Sequence, residues 1–100
     1  MNKPIEKIDC ELEPLIEKFM KNSWSDFEIM QNAYSKKNYT EVQRIGHNIK
    51  GSSLNYGFLL MGELGRKIEI SAAGENDVEL EGLLNDFKDY LENVVVEFVD

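Results

Sequence analysis

The only histidine of the 100-residue chain, His47, is followed by a lysine three residues later and a glycine four residues later. On a helix, these offsets place Lys50 and Gly51 on the same face as the histidine. The apolar residues Ile45 and Ile49 lie two positions to either side and so point to the opposite face. The pattern predicts an exposed imidazole beside a cation and a position without a side chain. Such an arrangement could carry a phosphoryl group.

These residues lie in a predicted helix from Tyr39 to about Tyr56. Asn38 and Glu41 have the spacing of an N-terminal capping box, in which side chains bond the free N–H groups of the first turn. Gly57 stands where a left-handed glycine would end the helix. The sequence therefore marks both ends of the helix that carries the histidine.

Apolar residues at helical spacing predict four further helices, over residues 9–21, 24–37, 58–73 and 77 almost to the C-terminus. Asn22 and Ser23 are expected to separate the first two, and Gly74 is expected to end the fourth helix of the chain. Asn76 with Glu79 forms a second capping box, which opens the last helix. Residues 1–8 are expected to be a loose lead-in.

The predicted fold class is all-α, in a single domain of residues 1–100. Short loops join the four long helices and favour antiparallel neighbours, so we expect an up-down-up-down antiparallel four-helix bundle with a short additional N-terminal helix. The β-branched run of residues 94–96 has no partner strand that the sequence reveals, so we assign it to the last helix. Gly62 and Gly65 each cost a helix about 1 kcal/mol against alanine, which indicates close backbone packing there.

Composition excludes several classes of function. The net charge of −8 argues against nucleic acid or an anionic membrane surface as the main partner. No apolar run is long enough to span a bilayer, and no secretory signal opens the chain. Cys10 is the only cysteine, which excludes an intrachain disulfide and a cysteine-based metal site. We expect a cytoplasmic monomer.

One longer motif connects the histidine helix with the next helix. It reads His47-x-x-Lys50-Gly51-Ser52-Ser53, then Gly57, Leu64 and Ile68-Glu69. This motif resembles the signature of histidine-containing phosphotransfer (HPt) domains, and the order and length of the predicted helices resemble that family over nearly the whole chain. Gly65 departs from the pattern, because the family usually has a larger residue at that point.

The resemblance implies a phosphorelay intermediate, in which an aspartyl-phosphate on a receiver domain passes its phosphoryl group to His47. A second receiver domain would then take it onward; the receivers would belong to a hybrid sensor kinase, a response regulator or both. Lys50 would offset the phosphoryl charge, and Glu69 would accept the other ring N–H and orient the imidazole. The chain would have no ATP site, kinase activity or cofactor of its own, with Mg²⁺ expected on the partner receiver.

A docking surface is expected around the histidine. Residues 36–67 contain six cations and only two acids, although the whole chain is acidic, and a cationic face would steer an acidic receiver site toward it. Leu54, seven residues after His47, shares its exposed face, where an apolar residue has no core to enter. The predicted docking residues are Gly51, Leu54, Arg44, Arg66 and Lys67.

Three alternatives stay open. The same fold could be the phosphoacceptor module of a chemotaxis-type histidine kinase, which an ATP-binding domain phosphorylates. It could instead be a module that docks receivers without accepting phosphate, or a structural helical bundle. A P-loop is excluded because no glycine-rich turn precedes Lys50, and a di-iron bundle because it needs more than one histidine.

Overall fold

The computed structural model describes residues 3–100, which form four helices and two short strands. The elements are β1 (Ile5–Asp9), a 3-10 turn (Cys10–Leu12), α1 (Glu13–Ser35), α2 (Tyr39–Tyr56), α3 (Leu59–Ala73), α4 (Asp77–Asn93) and β2 (Val95–Val99). Each helix packs on the next, and α4 packs on α1, so the four helices enclose one apolar core. The prediction of a four-helix bundle is confirmed. Within the described residues, no helix is long and apolar enough to cross a membrane.

The first helix is continuous where two helices were predicted. α1 runs through residues 22 and 23, so the predicted separate N-terminal helix is wrong. Ser23 is buried, and its hydroxyl donates a hydrogen bond to the carbonyl oxygen of Phe19 one turn earlier, at 2.9 Å. A serine that bonds back to its own helix is compatible with a helix interior, so the polar pair does not end the helix.

The helix that carries the histidine has the predicted ends. The side chain of Asn38 accepts a hydrogen bond from the backbone N–H of Glu41, and Gly57 adopts the left-handed conformation with φ of +89°. The N–H groups of Gly57 and Phe58 bond the carbonyls of Leu54 and Ser53, which satisfies the last turn. α3 then starts at Leu59, so α2 and α3 are joined by only two residues.

The two ends of the chain form a sheet that was not predicted. β1 and β2 pair in parallel, with Ile5 opposite Val95 and Asp9 opposite Val99. The prediction that the last helix continues almost to the terminus is therefore wrong, and so is the loose lead-in over residues 5–8; residues 1 and 2 lie outside the described part. Each strand has only five residues and finds its partner about 90 positions away, so local pattern gave no sign of the pairing.

A buried carboxylate connects the sheet with the start of α3. Glu6 of β1 is only 3% exposed, and it accepts hydrogen bonds from the backbone N–H groups of Leu60 and Met61 and from the hydroxyl of Tyr90, the last at 2.7 Å. The N-cap residue Phe58 offers no side-chain hydrogen bond, so Glu6 serves as a cap supplied from another element. Burial, together with the bond to Glu6, raises the pKa of Tyr90 far above its usual value, which keeps the phenol a donor.

Replacing this carboxylate should destabilise the fold. In Glu6→Ala, the N–H groups of Leu60 and Met61 and the Tyr90 hydroxyl lose their acceptor, and the last two are buried, so we expect the free energy of unfolding to fall by about 2–4 kcal/mol. Chemical denaturation followed by circular dichroism measures the change. Lys7→Ala, at an exposed position of the same strand, is the matched control and should change stability by less than about 0.5 kcal/mol. Equal stability of the two variants would contradict this assignment.

Candidate functional site

The imidazole of His47 stands on the solvent side of α2. Its side chain is 62% exposed, whereas Ile45, Gly46 and Ile49 around it on the helix are buried. The apolar spacing of α2 causes this arrangement, because it turns the opposite face of the helix into the core. The ring is therefore open to an approaching protein.

A carboxylate from the neighbouring helix holds the ring. Oε2 of Glu69, on α3, lies 2.9 Å from Nδ1 of His47, and Oε1 of the same group lies 3.4 Å from Nζ of Lys50. The Glu69 side chain is 22% exposed and that of Lys50 is 32% exposed. The structure thus brings together the three residues to which the resemblance gives chemical roles.

The charge state of Glu69 decides which ring nitrogen carries the proton. Burial would raise the pKa of this carboxyl, but hydrogen bonds from His47 and Lys50 outweigh it and hold the pKa below its usual value. The ionised carboxylate can only accept a hydrogen bond, so Nδ1 must donate, and in a neutral ring Nε2 keeps its lone pair. Because the pKa is lowered, these contacts stabilise the fold above the ordinary glutamate pKa of about 4.3, and this contribution is lost as the pH falls through the lowered value.

Two of the predicted docking residues share the exposed side of α2 with His47. A Cβ atom on Gly51 would meet nothing within 4 Å, so the packing of this chain does not require a glycine there. Because glycine has no side chain, nothing at this position projects from the surface beside the histidine. Leu54 is 50% exposed and lies against Gly62 of α3, which puts an apolar side chain on the surface one turn beyond Gly51.

The three predicted docking cations are placed differently from one another. Arg44 pairs with Glu41, and Arg66 pairs with Glu63 at 3.0 Å, each pair spanning one helical turn. These carboxylates reduce the positive charge that the arginines offer a partner. Lys67 lines a groove between α3 and α4, and it lies two residues from Glu69, which is nearly opposite on a helix. The structure therefore does not bring Lys67 to the histidine.

A groove between α1 and α2 was missed by sequence reasoning. It has a volume of about 710 Å³, and Asn48 and Ser52 of α2 line one side; Asn48 directly follows His47 in the sequence. Lys18, Asn22 and Asp26 of α1 line the other side. Burial raises the pKa of Asp26, and the charge of Arg44 opposes this shift. No local motif could have predicted the groove, since it depends on how far apart the two helices pack.

The comparisons with known proteins agree with the geometry. A family model described as Hpt domain matches residues 14–96, which include the whole site and nearly all of the four helices. No curated protein and no solved structure matches the chain. The matched region covers far more than half of the sequence. The chain therefore belongs to the Hpt domain family, the histidine phosphotransfer modules of phosphorelay signalling.

Proposed function

We propose that this protein accepts a phosphoryl group on Nε2 of His47 from the aspartyl-phosphate of a receiver domain and passes it to another receiver domain. Membership of the Hpt family supports a role in histidine phosphotransfer. The contact of Glu69 with Nδ1 is the main support for this proposal, because it leaves Nε2 of an exposed ring as the nucleophile.

The phosphoryl transfer requires no proton to move. The lone pair of Nε2 forms the N–P bond while the P–O bond to the receiver aspartate breaks, and the aspartate leaves as a carboxylate with that electron pair. The ring keeps its proton on Nδ1 and becomes a cation. Glu69 lies 2.9 Å from that nitrogen and stabilises the new positive charge. The reverse step, toward the aspartate of a second receiver, uses the same contacts.

Lys50 has the second role at this site. It shares the Glu69 carboxylate with the imidazole, one helical turn from His47, and its ammonium group can offset the charge of the incoming phosphoryl group. In this proposal, Mg²⁺ comes with the receiver domain, and the chain supplies no ATP site, kinase activity or cofactor. Catalysis is then mainly positioning and charge stabilisation, as expected for a loose phosphoryl transition state.

The docking surface surrounds His47. Gly51 and Leu54 would contact the receiver first, and Arg44 and Arg66 would exchange their present carboxylate partners for those of the receiver. We also propose that the protein is a cytoplasmic monomer and that its four helices follow an up-down-up-down order.

Phosphoryl incorporation tests the function. A phosphorylated receiver should transfer acid-labile, base-stable phosphate to the wild-type protein and none to His47→Gln, because the variant has no nucleophilic nitrogen. An isolated kinase domain with ATP should transfer none directly; efficient transfer from that source would favour the chemotaxis-type alternative. Receiver binding without incorporation would leave only a docking module, and the absence of both would leave a structural bundle.

The charge of Glu69 should matter to the rate. In Glu69→Gln, an amide oxygen can still accept from Nδ1, but the negative charge that stabilises the cationic ring is lost. We expect the transfer rate at saturating phosphorylated receiver to fall about tenfold, which is roughly 1.4 kcal/mol of transition-state stabilisation. Glu81→Gln, at an exposed position of α4, is the matched control and should keep the wild-type rate. A Glu69→Gln variant as fast as this control would remove Glu69 from the mechanism.

Leu54 should contribute to receiver affinity. Leu54→Ala removes apolar area that a docked receiver would bury, so we expect the dissociation constant to rise about five- to tenfold, with the transfer rate at saturation unchanged. Val78→Ala is the control, since Val78 is 85% exposed on α4. Titration calorimetry with the receiver measures both. If the two variants bind equally well, Leu54 lies outside the docking surface.

A further inference from the structure

Three glycines, Gly46, Gly62 and Gly65, lie where α2 and α3 pack together. The contact between these two helices is the most extensive of any helix pair in the fold. A Cβ atom on Gly46 would lie 3.0 Å from the backbone nitrogen of Glu69 and 3.1 Å from the carbonyl oxygen of Gly65. A Cβ atom on Gly65 would lie 2.8 Å from the backbone nitrogen of Lys50 and 2.9 Å from the carbonyl oxygen of Gly46. At these two positions the helices touch backbone to backbone.

These contacts surround the proposed reaction site. Gly46 directly precedes His47 and touches the backbone of Glu69, while Gly65 lies one turn before Glu69 and touches the backbone of Lys50. The two glycines therefore contact the main chain of the residues that surround the reactive nitrogen. Backbone atoms cannot turn aside as a side chain can, so any added carbon must push α2 and α3 apart at this level.

We infer that Gly46 and Gly65 are positioning residues, whose backbone contact sets the helix separation at which Glu69 holds Nδ1 of His47 and so presents Nε2. The effect on phosphotransfer rests on the proposed function, whereas the effect on the ring can be measured by itself. Each glycine weakens its own helix by about 1 kcal/mol against alanine, so close packing has to offset that cost. A hydrogen bond of 2.9 Å tolerates little additional separation.

The chain offers two glycines for comparison. A Cβ atom on Gly62, in the same interface, would meet only the side chain of Leu54 at close range, at 2.9 Å from Cδ2 and 3.1 Å from Cγ, and that side chain can move. A Cβ atom on Gly82, on α4, would meet nothing within 4 Å. Alanine at Gly62 therefore tests added volume without a backbone clash, and alanine at Gly82 tests the change of residue alone.

Nuclear magnetic resonance of the imidazole gives the direct readout, because His47 is the only histidine and its ring signals are unambiguous. At mildly alkaline pH, proton–nitrogen correlations show which ring nitrogen carries the proton. We expect the wild-type protein, Gly62→Ala and Gly82→Ala to hold it on Nδ1. Gly65→Ala should stay folded by circular dichroism but show a mixture of the two ring forms. Gly46→Ala, whose added carbon makes the milder contacts, gives the same test if Gly65→Ala does not fold.

Transfer kinetics give the second readout. At saturating phosphorylated receiver, Gly65→Ala should transfer about 10- to 100-fold more slowly than Gly82→Ala, while the half-saturating receiver concentration changes less than about twofold. In a Glu69→Ala background, Gly65→Ala should slow transfer little further, because both changes remove the same contact.

Each of three results would overturn the inference. The first is a wild-type ring that carries its proton on Nε2. The second is a folded Gly65→Ala with the ring form and the rate of Gly82→Ala, which would leave the glycine a purely packing role. The third is effects of Gly65→Ala and Glu69→Ala that multiply in the double variant. A wild-type protein that accepts no phosphate would reject the proposed function, yet the ring measurement would still decide whether the glycines set the geometry.

Discussion

The close approach of α2 and α3 is the constraint on which the site depends. The reactive imidazole and its carboxylate partner stand on different helices, so the 2.9 Å contact between His47 and Glu69 exists only if those helices pack at one separation. Two features of the sequence favour that packing. Gly57 ends α2 in a left-handed turn that leads into α3 almost at once, and Gly46 and Gly65 remove the side chains that would keep the backbones apart.

The rest of the fold supports this helix pair from outside. α1 and α4 complete the core, and the small parallel sheet brings the buried carboxylate of Glu6 to the first turn of α3. That helix therefore has its N-terminus fixed by a charge from the first strand of the chain and its middle fixed by contact with α2. A long side chain such as Glu69 can act precisely only from a helix that is itself held in this way.

The sequence predicted much of this because the relevant signals are local. Capping residues and a C-terminal glycine gave the ends of α2, apolar spacing gave the exposure of His47, and the HPt-like motif put Glu69 beside it. The errors have different causes, and only some of them lie outside the local sequence. Asn22 and Ser23 look like a break, but Ser23 bonds back to its own helix inside the core. β1 and β2 are short, and each becomes a strand only through a partner at the other end of the chain. Lys67 lies close in sequence to Glu69, yet the helix turns it toward α4.

The contact between Glu69 and Nδ1 determines which nitrogen of His47 carries phosphorus, and that position can be measured. In the phosphorylated wild-type protein, phosphorus–proton coupling distinguishes the two nitrogens, because Nε2 adjoins both ring C–H groups and Nδ1 adjoins only one. We expect phosphorus to couple to both ring protons of His47, with the proton on Nδ1 still donated to Glu69. Coupling to a single ring proton would place the phosphoryl group on Nδ1 and contradict the proposed role of Glu69.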